Sequence, residues 1–207
     1  MRKRDFLLIL VLFQAFSLEA KNIEGTIITR SDTLQAIFRI PVKIFTGEPN
    51  FEKIQFKLKY IDSTGNRKVL RPENVNEIRF SYNYEEIRML SRFNAVGLGN
   101  IFTTGSHVLL KLEVDGPVKL FRYYYTQRTS GTYNSTTGSW NGGVAYEAER
   151  FILQMEDEPI TRPRSFGFKK DMKEFFRNCP SLVEKIESNE YQRDLYLIVK
   201  YYNTACR

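Results

Sequence analysis

Histidine is nearly absent from this chain: His107 is the single one in 207 residues, and cysteine occurs only as Cys179 and Cys206. Metal clusters built on imidazole, and nucleophiles activated by histidine, therefore have at most one candidate. That candidate follows Gly105 and Ser106, a loop setting in which a structural or solvated role is expected. Ser106 beside it makes no dyad by adjacency, because catalysis needs a geometry rather than a neighbour in sequence. A phosphate-cradling loop is also missing, since Gly97-Leu98-Gly99 is too short and opens no helix, and it reads as a turn. After residue 20 no apolar run approaches the roughly 20 residues that a spanning helix needs. Basic residues are in excess, yet no block of about five or six like charges occurs, so nucleic acid is not an expected partner. No catalytic, cofactor-binding or metal-binding residue is assigned, and no repeat of fixed period is present.

What is present begins with Arg2, Lys3 and Arg4, followed by the apolar run from Phe6 to Phe13 and then Gln14 and Ala15. That order is the one of a secretory signal, so residues 1–20 are expected to be a cleaved export segment. Cleavage after Ala20 places Leu18 and Ala20 at the recognition positions, and cleavage after Ser17 would use Ala15 and Ser17. No cysteine lies near this boundary, which closes the acylated-cysteine route. Without residues 1–20, 28 basic residues (31 − 3) stand against 22 acidic ones (24 − 2). The scattered distribution of that charge fits an ordinary basic exported protein better than a dedicated anion-binding surface.

From Ile23 to Tyr125 apolar residues alternate with a period of two, the mark of half-buried strands. Ser31-Asp32 reads as the tip of a first hairpin. Ile54, Phe56, Leu58 and Tyr60 read as one face of a strand, and Pro72 opens a single helical turn before a strand at Glu77 to Tyr82. Asp115-Gly116 joins Val108–Val114 to Val118–Tyr125 in the clearest hairpin, because that dipeptide suits the positive φ of tight turns. Thr126 to Gly143 is rich in Ser, Thr, Gly and Asn and reads as a loop or long flexible hairpin tip. After Gly167 the period becomes 3.6, with Phe168, Met172, Phe175 and Phe176, then Leu182, Val183 and Ile186, then Leu195, Ile198, Val199 and Tyr202 on successive helical faces. The fold class expected is α+β: an antiparallel β-sheet or barrel-like domain over residues 21–155, with a linker and a short three-helix tail over 156–207 packed on it.

Cys179 and Cys206 fall at helix ends in this tail. An export signal and a single pair of cysteines predict one structural disulfide between them. Tyr133 and Trp140 are candidate ligand-stacking residues, whereas Tyr123-Tyr124-Tyr125 is expected to alternate between core and solvent. Carboxylates at Glu85, Glu86, Glu147, Glu149 and Glu156 to Glu158 could serve hydrolysis only if the fold brings two of them across one cleft. Asp32-Thr33-Leu34 and Asp62-Ser63-Thr64 match a short O-glycosylation pattern, and Asn134-Ser135-Thr136 an N-glycosylation sequon; all sit where turns are expected anyway.

Phe168-Lys169-Lys170-Asp171-Met172, Phe175-Phe176 and Cys179-Pro180, followed by Tyr191, Tyr202-Asn203 and Cys206, resemble the closing segment of a family of exported Bacteroidetes proteins. Gly25 to Thr29, Pro72 to Phe80, and Val114-Asp115-Gly116 before Leu120 to Tyr124 are similar to earlier parts of the same family. Some members continue into an outer-membrane β-barrel, so the resemblance implies a periplasmic, outer-membrane-associated or extracellular location. It brings no activity, cofactor or site residue with it. The reading that follows is a non-catalytic binding or interaction module with an envelope protein or glycan as partner. The alternative is a hydrolase of an envelope polymer using paired carboxylates. Oligomeric state is left open.

Overall fold

The computed structural model describes residues 20–98 and 106–206. The expected export segment up to residue 19, together with Gly99 and Gly105, lies outside the described residues. Nine strands form one sheet: β1 (Lys21–Ile28), β2 (Thr33–Ile40), β3 (Leu58–Ile61), β4 (Arg67–Leu70), β5 (Glu77–Tyr82), β6 (Glu85–Phe93), β7 (His107–Val114), β8 (Val118–Arg128) and β11 (Ala145–Met155). Their order is β11-β8-β7-β6-β5-β1-β2-β3-β4, every pair antiparallel. The sheet is open, with β4 and β11 at its edges, and does not close into a barrel. The short strands β9 (Thr132–Asn134) and β10 (Ser139–Asn141) pair only with each other.

The expected strand from Ile54 to Tyr60 is extended only in its second half, since Ile54 ends a helical turn. Phe51–Ile54 form a single turn, α1, because the Asn50 side chain caps it by accepting the Lys53 N–H at 3.1 Å. The chain straightens only at Leu58, where β3 begins. Ile54 and Gln55 are thereby driven inside, both completely buried. Gln55 occupies a fork in the sheet. β7 and β8 pair at Lys111↔Arg122, Leu112↔Phe121 and Val114↔Leu120. Beyond that point Leu109 donates its N–H to the Gln55 carbonyl (2.9 Å), Tyr124 donates its N–H to Gln55 Oε1 (2.8 Å), and Gln55 Nε2 donates to the Tyr124 carbonyl (2.9 Å). One glutamine thus stands in for the missing ladder bonds.

On the face that α1 covers, Ile27, Phe38, Ile78, Phe80 and Met89 form one core, with Phe38 and Phe80 edge to face at 6.0 Å. The opposite face buries Leu90, Val108, Leu110, Phe121, Tyr123 and Ile152. Tyr123 packs here with Tyr125 stacked on it, while Tyr124 points to the other face, as strand alternation requires. On that opposite face Arg79 and Arg88 lie directly across from each other, and Glu77 accepts from both at 2.6 Å.

The tail comprises α2 (Phe168–Phe175), α3 (Pro180–Glu187) and α4 (Leu195–Ala205). Phe168, Met172, Phe176, Leu182, Ile186, Leu195, Ile198 and Val199 pack over Val118, Leu120 and Leu153. Pro180 sits in the first turn of α3, and the Asp194 side chain caps α4 by accepting from the Tyr196 and Leu197 N–H groups. Cys179 and Cys206 are joined, with Cα atoms 5.5 Å apart; a loop of this size is worth about 3–4 kcal/mol in the chain-entropy account. At the far side the Asn203 amide docks on the β7–β8 turn: Oδ1 accepts the Val118 N–H (2.9 Å) and Nδ2 donates to the Val118 carbonyl (2.8 Å). Gly116 permits this approach. Its φ is 146°, and a Cβ there would lie 2.5 Å from Asn203 Nδ2.

Two outcomes follow. Asn203→Ala orphans the buried Val118 N–H and carbonyl and should cost about 1–3 kcal/mol in denaturant melts. Gly116→Ala should also destabilise, and the double variant should lose less than the sum, since removing Asn203 removes half of the conflict. Glu77 gives a pH test. Burial raises its carboxyl, but the hydrogen bonds from Arg88 and Arg79 outweigh burial and hold it below its ordinary value of 4.5. A depressed folded value stabilises above the unfolded value, and that stability is lost as pH falls through the folded one. Melts of Glu77→Gln should therefore show a flatter loss of stability below about pH 4.5 than the parent.

Candidate functional site

Beyond the core under α1, the same sheet face turns polar. Lys111 of β7 and Arg122 of β8 lie directly opposite each other, an arrangement that repels unless counter-charges are supplied. Three carboxylates supply them: Glu85 and Glu113 at 2.8 and 3.6 Å from Lys111, and Glu113 and Glu149 at 2.9 and 2.8 Å from Arg122. The Phe51 ring stacks on Tyr124 with centroids 4.8 Å apart, and Lys111 Nζ stands over Phe51. Burial pushes the Tyr124 phenol well above its ordinary range. Of these side chains Phe51, Glu85, Lys111, Tyr124 and Glu149, together with Lys43, Tyr82 and Asn83, line an open cleft of about 340 Å³.

The cleft mouth is built from three turns. The segment 43–48 is closed by the Lys43 N–H bond to the Glu48 carbonyl, and Lys43 Nζ bridges Glu48 and Glu147. The turn between β5 and β6 is tied to it by Tyr82 Oη donating to the Gly47 carbonyl. Glu52 of α1 accepts from both the N–H and the hydroxyl of Thr126, which fixes the start of the arm carrying β9 and β10. Two of these turns show a ring to solvent, Phe45 at 97% and Tyr84 fully, and on the arm Tyr133 and Trp140 are 58% and 66% exposed. Tyr84 sits at φ 66° after Asn83 at φ 50°. A two-residue hairpin turn of this kind prefers Asn-Gly, so a bulky residue there is a backbone cost with no packing return.

The segment expected as a loop or long hairpin tip is such an arm. β8 runs on to Arg128, Thr129 and Val144 close the neck at 3.0 Å, and Tyr133 and Trp140 face each other across the β9–β10 pair with centroids 6.3 Å apart. The two candidate stacking residues are thus brought together, on the arm that leaves β8 after Arg128 and not within the lining of the cleft. The cysteines lie remote from it, in the tail. His107 begins β7 with its edge to Phe93 and its Nδ1 3.0 Å from Ser106 Oγ; among the described residues no carboxylate orients the ring. Of the carboxylates, Glu85 and Glu149 do share the cleft, whereas Glu156 to Glu158 form the turn after β11. Gln55, Phe51, Lys111 and Arg122 were not singled out from sequence as site residues, and Tyr124 only as one of three tyrosines expected to alternate between core and solvent. The apolar/polar alternation of β7 and β8 marks Lys111 and Arg122 as one face only once the register is known.

A larger groove, about 1130 Å³, runs along α2 and α3. Three ion pairs lie within it, Arg164 with Asp171, Lys173 with Glu187 and Arg177 with Glu174, and Lys170 and Glu184 also line it, so charges of both signs alternate along it without an aromatic surface. Among the described residues no acidic, histidine or cysteine side chains are grouped to hold a metal, and no helix is long and apolar enough to cross a membrane. Compared with protein-family models, with curated proteins and with solved structures, the chain matches none.

Gln55 is the residue on which the cleft wall rests. Gln55→Leu should cost about 1–3 kcal/mol for each Tyr124 backbone group it orphans, whereas Glu52→Gln on the exposed side of α1 should stay within about 0.5 kcal/mol. Urea melts of the two variants check this.

Proposed function

We propose that this chain is an exported protein of the cell envelope, of the kind its sequence resembles, and that it is a non-catalytic module binding a glycan through the arm at the far end of β8. The observation that carries the reading is the display of the Tyr133–Trp140 pair to solvent on that arm, with Phe45 and Tyr84 exposed on the turns that edge the cleft. Aromatic faces next to closely interleaved donors and acceptors of both signs suit an uncharged, hydroxyl-rich ligand. A nucleic acid or acidic polymer would need unpaired cations, and a lipidic ligand would need an apolar floor. The Cys179–Cys206 disulfide is compatible with an oxidising compartment.

Hydrolysis by paired carboxylates has one point in its favour, the shared cleft of Glu85 and Glu149. Both, however, are in contact with a cation and half exposed, without the apolar surround that sets an acid catalyst apart. Binding is therefore the better reading.

Trp140 is the sole tryptophan, so intrinsic fluorescence reports this end of the molecule directly. Titration with a panel of neutral oligosaccharides should change its emission saturably, and Tyr133→Ala should weaken the effect about tenfold, the loss of roughly one stacked ring's worth of contact. A panel that leaves the emission unmoved, or a blue shift with phosphatidylcholine vesicles in its place, sinks the glycan reading. The export half is read separately: protein recovered from the envelope should begin at Lys21 or Leu18.

A further inference from the structure

The edge strand β11 is partly covered by the chain itself, and the way that cover stops leaves a strand-sized vacancy. Leu153 donates its N–H to the Thr161 carbonyl (2.9 Å) and accepts the Thr161 N–H (2.7 Å), an antiparallel bridge on the side away from β8. Continuing that register would place residue 163 against Phe151. Residue 163 is proline, which has no N–H to give, and the added strand ends there. Backbone direction alternates along a strand, so Phe151, Glu149, Glu147 and Ala145 turn their N–H and carbonyl groups outward like Leu153. Among the described residues no backbone group pairs with them, although their inner neighbours are laddered to β8 throughout.

We infer that the β11 edge from Ala145 to Phe151 is a docking site for an extended, basic segment of a second protein, which adds as a tenth strand antiparallel to β11. Main-chain bonds supply the attachment in such strand addition, and alternate side chains supply the selection. Here the selecting side chains are Glu147 and Glu149, on one face of the edge and each half exposed, at 58% and 50%. Lys43 and Arg122 pair with them, but the cluster they belong to sets five carboxylates, Glu48, Glu85, Glu113, Glu147 and Glu149, against three cations, Lys43, Lys111 and Arg122, and stays net acidic. Glu147 and Glu149 also bear on the obvious competitor, a second copy of this chain. Pairing β11 with itself about residue 147, 148 or 149 brings Glu against Glu on that face in every case, and like charges directly opposite destabilise a sheet. The same carboxylates that reject self-association favour Lys or Arg at alternate positions of a partner. This site is separate from the aromatic arm, and neither proposal needs the other.

The test uses the mature chain and two synthetic peptides, acetyl-Thr-Lys-Val-Lys-Val-Lys-Thr-amide and the same sequence with Glu for Lys. Amide hydrogen exchange is followed by NMR at Glu147, Glu149 and Phe151. The basic peptide should slow these outward amides at least about tenfold while leaving the Tyr133–Trp140 arm unchanged, and the acidic peptide should not slow them. The variant Glu147→Lys with Glu149→Lys should reverse the preference. If that variant does not fold, the two-peptide comparison on the parent chain still decides. No slowing by the basic peptide, or equal slowing by both, overturns the proposal. Protection of the same amides without peptide, rising with protein concentration alongside a dimer in sedimentation, overturns it in favour of a second copy.

Discussion

The buried amide of Gln55 is the contact on which the two halves of this sheet depend. A nine-stranded antiparallel sheet has to twist, and this one relieves the twist by letting β7 and β8 part after Lys111↔Arg122. Parting strands expose donors and acceptors that cannot stay unpaired inside. An apolar plug would fill the gap and leave those groups orphaned. A side chain with one donor group and one acceptor at the same reach satisfies both, and Gln55 meets Tyr124 in that fashion while its own carbonyl serves Leu109. Because Gln55 closes α1, the wedge also fixes Phe51 on Tyr124 and Glu52 on Thr126. The cleft wall and the base of the aromatic arm are thus consequences of one residue's hydrogen bonds.

The tail repeats the solution at the other end. Asn203 offers its amide to both backbone groups of Val118, and Gly116 supplies the space. The disulfide clamps the C-terminal end of α4, three residues further on, to the start of α3. Helices of eight, eight and eleven residues are too short to persist alone, so their order comes from the apolar seam on β8 and β11 together with these two clamps. Asp115-Gly116, Asn203, Cys179 and Cys206, which are among the residues on which the expected family resemblance rests, meet at these clamps.

Sequence periodicity disclosed the strands, the hairpin at Asp115-Gly116, the change to helix at Gly167 and the cysteine pair, since each is a local pattern or a matter of counting. It failed at Ile54 to Phe56, where the alternation that continues into Leu58 and Tyr60 begins at the end of a helical turn that Asn50 caps. It also left the cleft invisible. Lys111, Arg122 and Glu149 come together through the offsets of three strands, and a shift of one residue in any of them would send its charge to the other face. Tyr133 and Trp140 were legible as exposed aromatics in a polar stretch, while their cross-strand contact depended on a turn at Ser135 to Gly138 that composition alone does not place. Phe45 and Tyr84 drew no attention because a single apolar residue in a turn is unremarkable until its neighbours in space are known.

That polar patch is costly to keep. Opposed Lys111 and Arg122 require three carboxylates to quiet them, and exposed ion pairs return little, on the order of 0.2–1 kcal/mol each. The same sheet face a few residues away holds Met89 and Leu109, and apolar residues at the charged positions would extend that core at no electrostatic expense. Charges of this kind can often be replaced by packed apolar groups without loss of stability. A Tyr placed at positive φ and fully exposed is unfavourable in the same sense. Two departures from what the fold alone would select, one in the cleft floor and one on its rim, fall within one end of the molecule. Their coincidence locates the working surface there more firmly than either does by itself.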